Sequence, residues 1–142
     1  THSHIMATRG RIGYELTDGS IVSAYHHWDS YPDWLGKVLK EQYNTEEKVT
    51  ELIDGGDMSV CWTDDSFRNS DGKLEKKSEF GPQYYSERGE DCPPSVMSLS
   101  EYLDKDNNEE YAYVWTRQQE WICYDMHSFD RRKSPELVAI PS

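Results

Sequence analysis

Ile21-Val-Ser-Ala-Tyr-His-His-Trp-Asp-Ser-Tyr-Pro-Asp-Trp-Leu-Gly36 changes its apolar period partway along. Up to His27 it is rich in β-branched and aromatic residues, the composition of a strand. Ile21, Ser23, Tyr25 and His27 share one face of that strand, and Val22, Ala24 and His26 share the other. From Asp33 onward Trp34, Leu35, Val38, Leu39 and Tyr43 fall at helical spacing. Asp29 and Ser30 are residue types that cap helices, and Pro32 suits a first turn, where no backbone donor is missed. The stretch is therefore a strand turning into a helix. The N–H groups and dipole at that helix start favour an anion.

The corner is crowded with Tyr25, His26, His27, Trp28, Asp29 and Tyr31. Aromatic residues at such a place are more often core plugs with satisfied polar ends than ligand contacts. Here His27, Trp28 and Asp29 are consecutive, and consecutive residues do not all point into one core.

Working outward, Arg11 to Leu16 reads as a strand and Thr17-Asp-Gly-Ser20 as a turn, so an N-terminal β-hairpin ends at the corner. After the first helix, at about 32–43, Thr45 is placed to cap a second at about 46–54. Its apolar face is Val49, Leu52 and Ile53, and Gly55-Gly56 ends it. Ser98 or Ser100 suits the cap of a short turn around Tyr102. Tyr111 to Thr116 and Trp121 to Met126 form a second hairpin, whose small residues Ala112 and Val114 are expected to face the helices. The expected fold class is α+β: one antiparallel sheet built from both hairpins, with two helices packed on one face. Residues 1–5 resemble an expression-tag remnant, and 6–142 suit a single domain. A long irregular loop is expected at about 62–94, and a short edge element near Leu137 and Val138.

Composition narrows the function. A net charge of -12 argues against direct nucleic-acid binding, which needs clustered cations. It fits a basic partner surface, or simply solubility. No apolar run is long enough to span a membrane, and a cytoplasmic protein is expected. Cys61, Cys92 and Cys123 form neither a zinc pattern nor an even disulfide set, and are read as reduced thiols.

No nucleophile elbow, phosphate loop or dinucleotide fingerprint is present. A metal site at His26, His27 and Asp29 is awkward, because neighbouring strand residues point to opposite faces. His27 and Asp29 offer an acid–base pair without a nucleophile, so catalysis is not expected. No cofactor is implied. Arg88, in Gln83-Tyr-Tyr-Ser-Glu-Arg-Gly-Glu90, is either a surface ion pair or a group reaching an anionic ligand.

Residues 7–59 resemble a family of small uncharacterised accessory proteins of tailed bacteriophages and prophages. The resemblance is carried by Ala7-Thr-Arg9, Arg11-Ile-Gly13, Asp18-Gly19, Tyr25-His-His-Trp-Asp29 with Tyr31-Pro32, Leu35-Gly36, Leu52-Ile53 and Gly56-Asp57. It continues weakly through Tyr85 to Glu90 and Tyr111 to Tyr124. The family's His-Trp-Asp-x-Tyr-Pro motif usually has Gly where this chain has Ser30. The resemblance implies an accessory protein in the host bacterial cytoplasm, of a kind that counters host defence. Three functions are expected, in this order. The first is sequestering a small anionic ligand such as a nucleotide signal. The second is inhibiting a host protein, with acidic mimicry of nucleic acid as one route. The third is degrading a nucleotide. For the first, the site is placed at Tyr25, His27, Trp28, Asp29 and Tyr31, with Arg9, Arg11 and Arg88 supplying positive charge.

Overall fold

In the computed structural model, residues 8–28, 30–61, 66–68, 74–76, 82–130 and 132–141 are described. The elements run in the order β1 (Gly10–Glu15), β2 (Ile21–His26), a π-helical turn (Pro32–Gly36) continuing as α1 (Lys37–Gln42), α2 (Glu46–Asp54) and β3 (Met58–Val60). The short strands β4 (Ser66–Arg68), β5 (Leu74–Lys76) and β6 (Gln83–Tyr84) lead to a 3-10 turn (Tyr85–Arg88), β7 (Ser95–Met97) and α3 (Leu99–Tyr102). A further 3-10 turn (Lys105–Asn107) precedes β8 (Tyr111–Trp115), β9 (Trp121–Asp125) and β10 (Glu136–Val138).

Both expected hairpins form, and the same backbone device turns each of them. Leu16 N–H donates to Ser20 O at 2.8 Å in the first, and Thr116 N–H donates to Glu120 O at 2.9 Å in the second. Each turn also holds one residue at positive φ, Gly19 at 88° and Gln119 at 60°. The sheet order is β10-β9-β8-β1-β2-β3-β6, with β7 also on β2. The expectation of a purely antiparallel sheet is corrected. β1 runs parallel to β8, and β2 runs parallel to β3. The reason lies in the connections. The π turn, α1 and α2 carry the chain back over the sheet, so β3 enters beside His26 and runs in the same direction as β2. β7 takes the Ile21–Ser23 part of the β2 edge, and β3 pairs at His26. The expected edge element is β10, antiparallel to β9.

α1 and α2 cover one face, as expected. Leu35, Leu39, Val49, Leu52 and Ile53 pack there against Ile12, Ala24, Tyr113 and Trp115. Thr45 caps α2 by accepting the Lys48 amide at 3.3 Å. The orientation of β8 is the reverse of the expectation. Its large residues Tyr113 and Trp115 face α1 and α2, while Ala112 and Val114 face Tyr102 and Met126 on the opposite side. α3, capped by Ser98, fills that second side, and Tyr102 hydroxyl donates to Tyr113 O at 2.6 Å. Small residues suit that side because the α3 ring needs the room.

The long loop expected at 62–94 lies partly outside the described residues. Its described part includes β6, which pairs with β3 at the sheet edge. The proposed tag, residues 1–5, also lies outside them. Among the described residues, no helix is long and apolar enough to cross a membrane.

Candidate functional site

The backbone of the corner is pinned at both ends. His27 N–H donates to Met58 O at 3.2 Å and Trp28 N–H to Ser59 O at 2.9 Å, extending the parallel ladder past β2. Ser30 is fully buried. Its amide donates to Thr8 O at 3.0 Å, and its carbonyl accepts the Tyr113 hydroxyl at 2.7 Å. Ser30 Oγ lies 2.8 Å from His26 Nδ1. His26 Nε2 accepts the Cys61 amide at 3.0 Å, which places the His26 proton on Nδ1, donated to Ser30. Burial pushes the His26 pKa down to about 3, so the ring is neutral. Ser30 therefore does not cap the helix. The residue before Pro32 at the helix start is Tyr31, and it makes no side-chain cap. The two histidines do point to opposite faces, as alternation requires. His26 enters the core, and His27 lies on the face of Tyr25.

Two regions flank this corner. The first gathers Arg9, Arg11, Tyr25, His27 and Trp28. Tyr25 hydroxyl sits 2.7 Å from His27 Nδ1, and the Trp28 ring meets His27 edge-on at 4.7 Å. Burial raises the Tyr25 pKa to about 12, and burial with the Arg9 charge lowers that of His27. The hydroxyl therefore stays protonated. The two arginines already have partners. Arg11 Nε donates to Glu109 Oε1 at 2.6 Å, and the Arg9 guanidinium lies 4.0 Å from Glu110 Oε1. Glu109 is almost completely buried, and burial raises its pKa despite Arg11.

Asp57 ties the 3-10 turn to this region. Its Oδ1 accepts the Tyr25 amide at 2.9 Å, and its carbonyl accepts the Tyr85 amide at 3.1 Å. The backbone of Arg88 belongs to that turn. The Arg88 side chain and all of Asp29 lie outside what the structure describes.

The second region is a cleft of about 450 Å³ at the end of the sheet, within the size range of ligand sites. Tyr31, Tyr111 and Phe129 supply its aromatic walls, and Glu110, Asp125 and Asp130 its carboxylates. Lys133 and His127 also line it. Among the described residues, Tyr31 is the one expected site residue that lines this cleft, with its ring centroid 6.2 Å from that of Tyr111. Glu110 joins the two regions, because its Oε2 also accepts the Arg9 amide at 2.6 Å.

A single ammonium holds one wall of the cleft. Lys105 Nζ donates to the carbonyls of His127 at 2.7 Å, Asp130 at 2.5 Å and Lys133 at 2.6 Å. His127 has φ 49°, rare outside glycine. Its Nε2 lies 3.1 Å from Glu136 Oε1, at ion-pair range but without hydrogen-bond alignment.

Sequence reasoning missed Glu109, Glu110, Asp125, Asp130, Lys133 and Trp34. Trp34 sits at core spacing beside Leu35, yet is 52% exposed. Trp28 and Tyr31 are also exposed, at 41% and 46%. The acids carried no signal of their own: the β8–β9 hairpin sets Asp125 near Glu110, and the β1–β8 pairing brings Glu109 and Glu110 to Arg11 and Arg9. Among the described residues no three metal-binding side chains converge. The chain matches no family model, no curated protein and no solved structure among those it was compared with.

Proposed function

We propose that this chain is a binding protein of the phage accessory type, countering bacterial defence by occupying a basic surface of a host protein. The observation that carries this reading is the exposure of Trp28, Tyr31 and Trp34 on one corner whose backbone is fixed. Tryptophan and tyrosine are the residues that most often anchor protein interfaces. Fixed in advance, they lose little freedom on binding. The net charge of -12 adds long-range attraction for a basic partner.

Capture of a small anionic nucleotide is the second reading. The cleft size and the Tyr31–Tyr111 pair favour it, since both suit a planar base. It ranks lower because Arg9 and Arg11 are paired with Glu110 and Glu109, leaving them less charge for a phosphate. Nucleotide degradation ranks third, for want of an activated nucleophile beside Tyr25 and His27.

The test is phage plating on bacteria that carry a nucleotide-signalling defence or, separately, a nuclease-based defence. The wild-type chain should raise plating on at least one of them. Tyr31→Ala and Trp34→Ala, at equal protein level and equal melting temperature, should remove most of that gain. Full activity in both variants would sink the aromatic corner as the working face.

A further inference from the structure

We infer that residues 127–130 are a flap that closes over the cleft, and that Lys105 is the latch holding it open. The inference goes beyond the binding reading above and is tested on the free chain. It starts from unfavourable features on three consecutive residues. His127 has φ 49°, in the left-handed region that glycine enters without cost. Ser128 Oγ is cut off from solvent and has no hydrogen-bond partner among the described residues. Phe129 is 82% exposed, more than any other large apolar side chain among the described residues. Strain and unmet polar groups of this kind persist only where the surroundings hold them, and they gather in segments that switch.

The holding group here is one ammonium. Lys105 Nζ donates to the carbonyls of His127 and Asp130, which bracket Ser128 and Phe129, and to that of Lys133 beyond. While both bracketing carbonyls face Nζ, the two residues between them are held outward. Released, they gain by turning inward. Phe129, Tyr31 and Tyr111 line the same cleft, and its volume of about 450 Å³ has room for a phenyl ring. A swing across the mouth buries the Phe129 ring against the other two. It also relaxes the His127 backbone and returns the Ser128 hydroxyl to water. Three charge-assisted bonds favour the open position, and ring burial, a relaxed backbone and a solvated hydroxyl favour the closed one. The flap is therefore a two-state element whose balance Lys105 sets.

The test is NMR on the full chain with nothing added. The readouts are relaxation dispersion of the Ser128, Phe129 and Asp130 amides and the through-space contacts of the Phe129 ring. Lys105→Met should raise the closed population about tenfold, the scale of one charge-assisted bond, and bring Phe129 into contact with Tyr31 and Tyr111. Ser128→Ala removes a cost of the open position and barely changes shape. It should lower the closed population about fivefold and raise the melting temperature. Flat dispersion at these amides in wild type and Lys105→Met alike overturns the flap. A Lys105→Met wall that loosens with no Phe129 contact to either tyrosine overturns it too. So does a Ser128→Ala chain that melts below wild type, because the hydroxyl would then be satisfied where it stands. The phage plating above reads the aromatic face alone, so either proposal can fail while the other stands.

Discussion

Tyr31 and Tyr111 line one cleft with ring centroids 6.2 Å apart, although one comes from the corner before the first helix and the other from the start of β8. Buried Tyr113, two residues along β8, fixes this meeting by donating to the carbonyl of Ser30, the neighbour of Tyr31. The exposed rings are therefore held by buried ones. Removing them should separate binding from stability. Tyr31→Ala and Trp34→Ala should change unfolding free energy by less than about 0.5 kcal/mol, as exposed positions do. Each should cost a protein partner about 1–2 kcal/mol. Leu35→Ala, at a buried neighbour, should cost about 2–5 kcal/mol of stability. Urea titrations of all three variants check the contrast.

His26 should make the fold acid-sensitive. Its pKa is about 3 in the fold, against an ordinary value of about 6.5. Protons therefore bind the unfolded chain more readily. The stabilisation is complete above pH 6.5 and is lost as pH falls toward 3. Between pH 7.5 and 5 the loss from this residue alone should be about 2 kcal/mol. The many carboxylates titrate in the same range, so the useful quantity is the difference between wild type and His26→Gln at each pH. A difference independent of pH would refute the buried neutral ring.

Lys105 should govern the wall of the cleft. Lys105→Met removes three donors from the His127, Asp130 and Lys133 carbonyls. Charge-assisted bonds of this kind support a loss of about 2 kcal/mol. Hydrogen exchange should quicken first at the Asp130 and Lys133 amides, which close the turns of that wall. Unchanged exchange there would show that the wall stands without the ammonium.

The second hairpin turn carries avoidable strain. Gln119 adopts φ 60°, where the first turn uses Gly19. Gln119→Gly should stabilise the protein by about 1 kcal/mol, the cost of that region for a residue with a Cβ. Gly56→Ala should do the opposite and more severely. Gly56 has φ 88°, and an added Cβ would fall 2.0 Å from Cys92 O. Thermal melts of both variants test the pair.

Local signals made most elements legible. Thr45 announced α2, Asp18-Gly19 the first turn, and the alternation from Tyr111 to Trp115 the second hairpin. What alternation cannot give is which face turns inward, and so Tyr113 and Trp115 were placed on the wrong side. Parallel pairing was missed although the strand–helix–strand order of β2, α1, α2 and β3 implies it. Met58–Val60 is too short to announce itself as a strand. The site was legible in part. Whether Trp28 and Tyr31 belong to the core was open in the sequence, and both are exposed, while the partners of Arg9 and Arg11 lie about a hundred residues away and no local pattern foretells them.

Native mass spectrometry of the chain purified from phage-infected cells puts the binding reading to its most direct test. A protein-sized added mass is expected, weakened by salt and absent from the folded Tyr31→Ala, Trp34→Ala double variant. A nucleotide-sized added mass, retained in high salt and unaffected by Glu110→Gln, would contradict it.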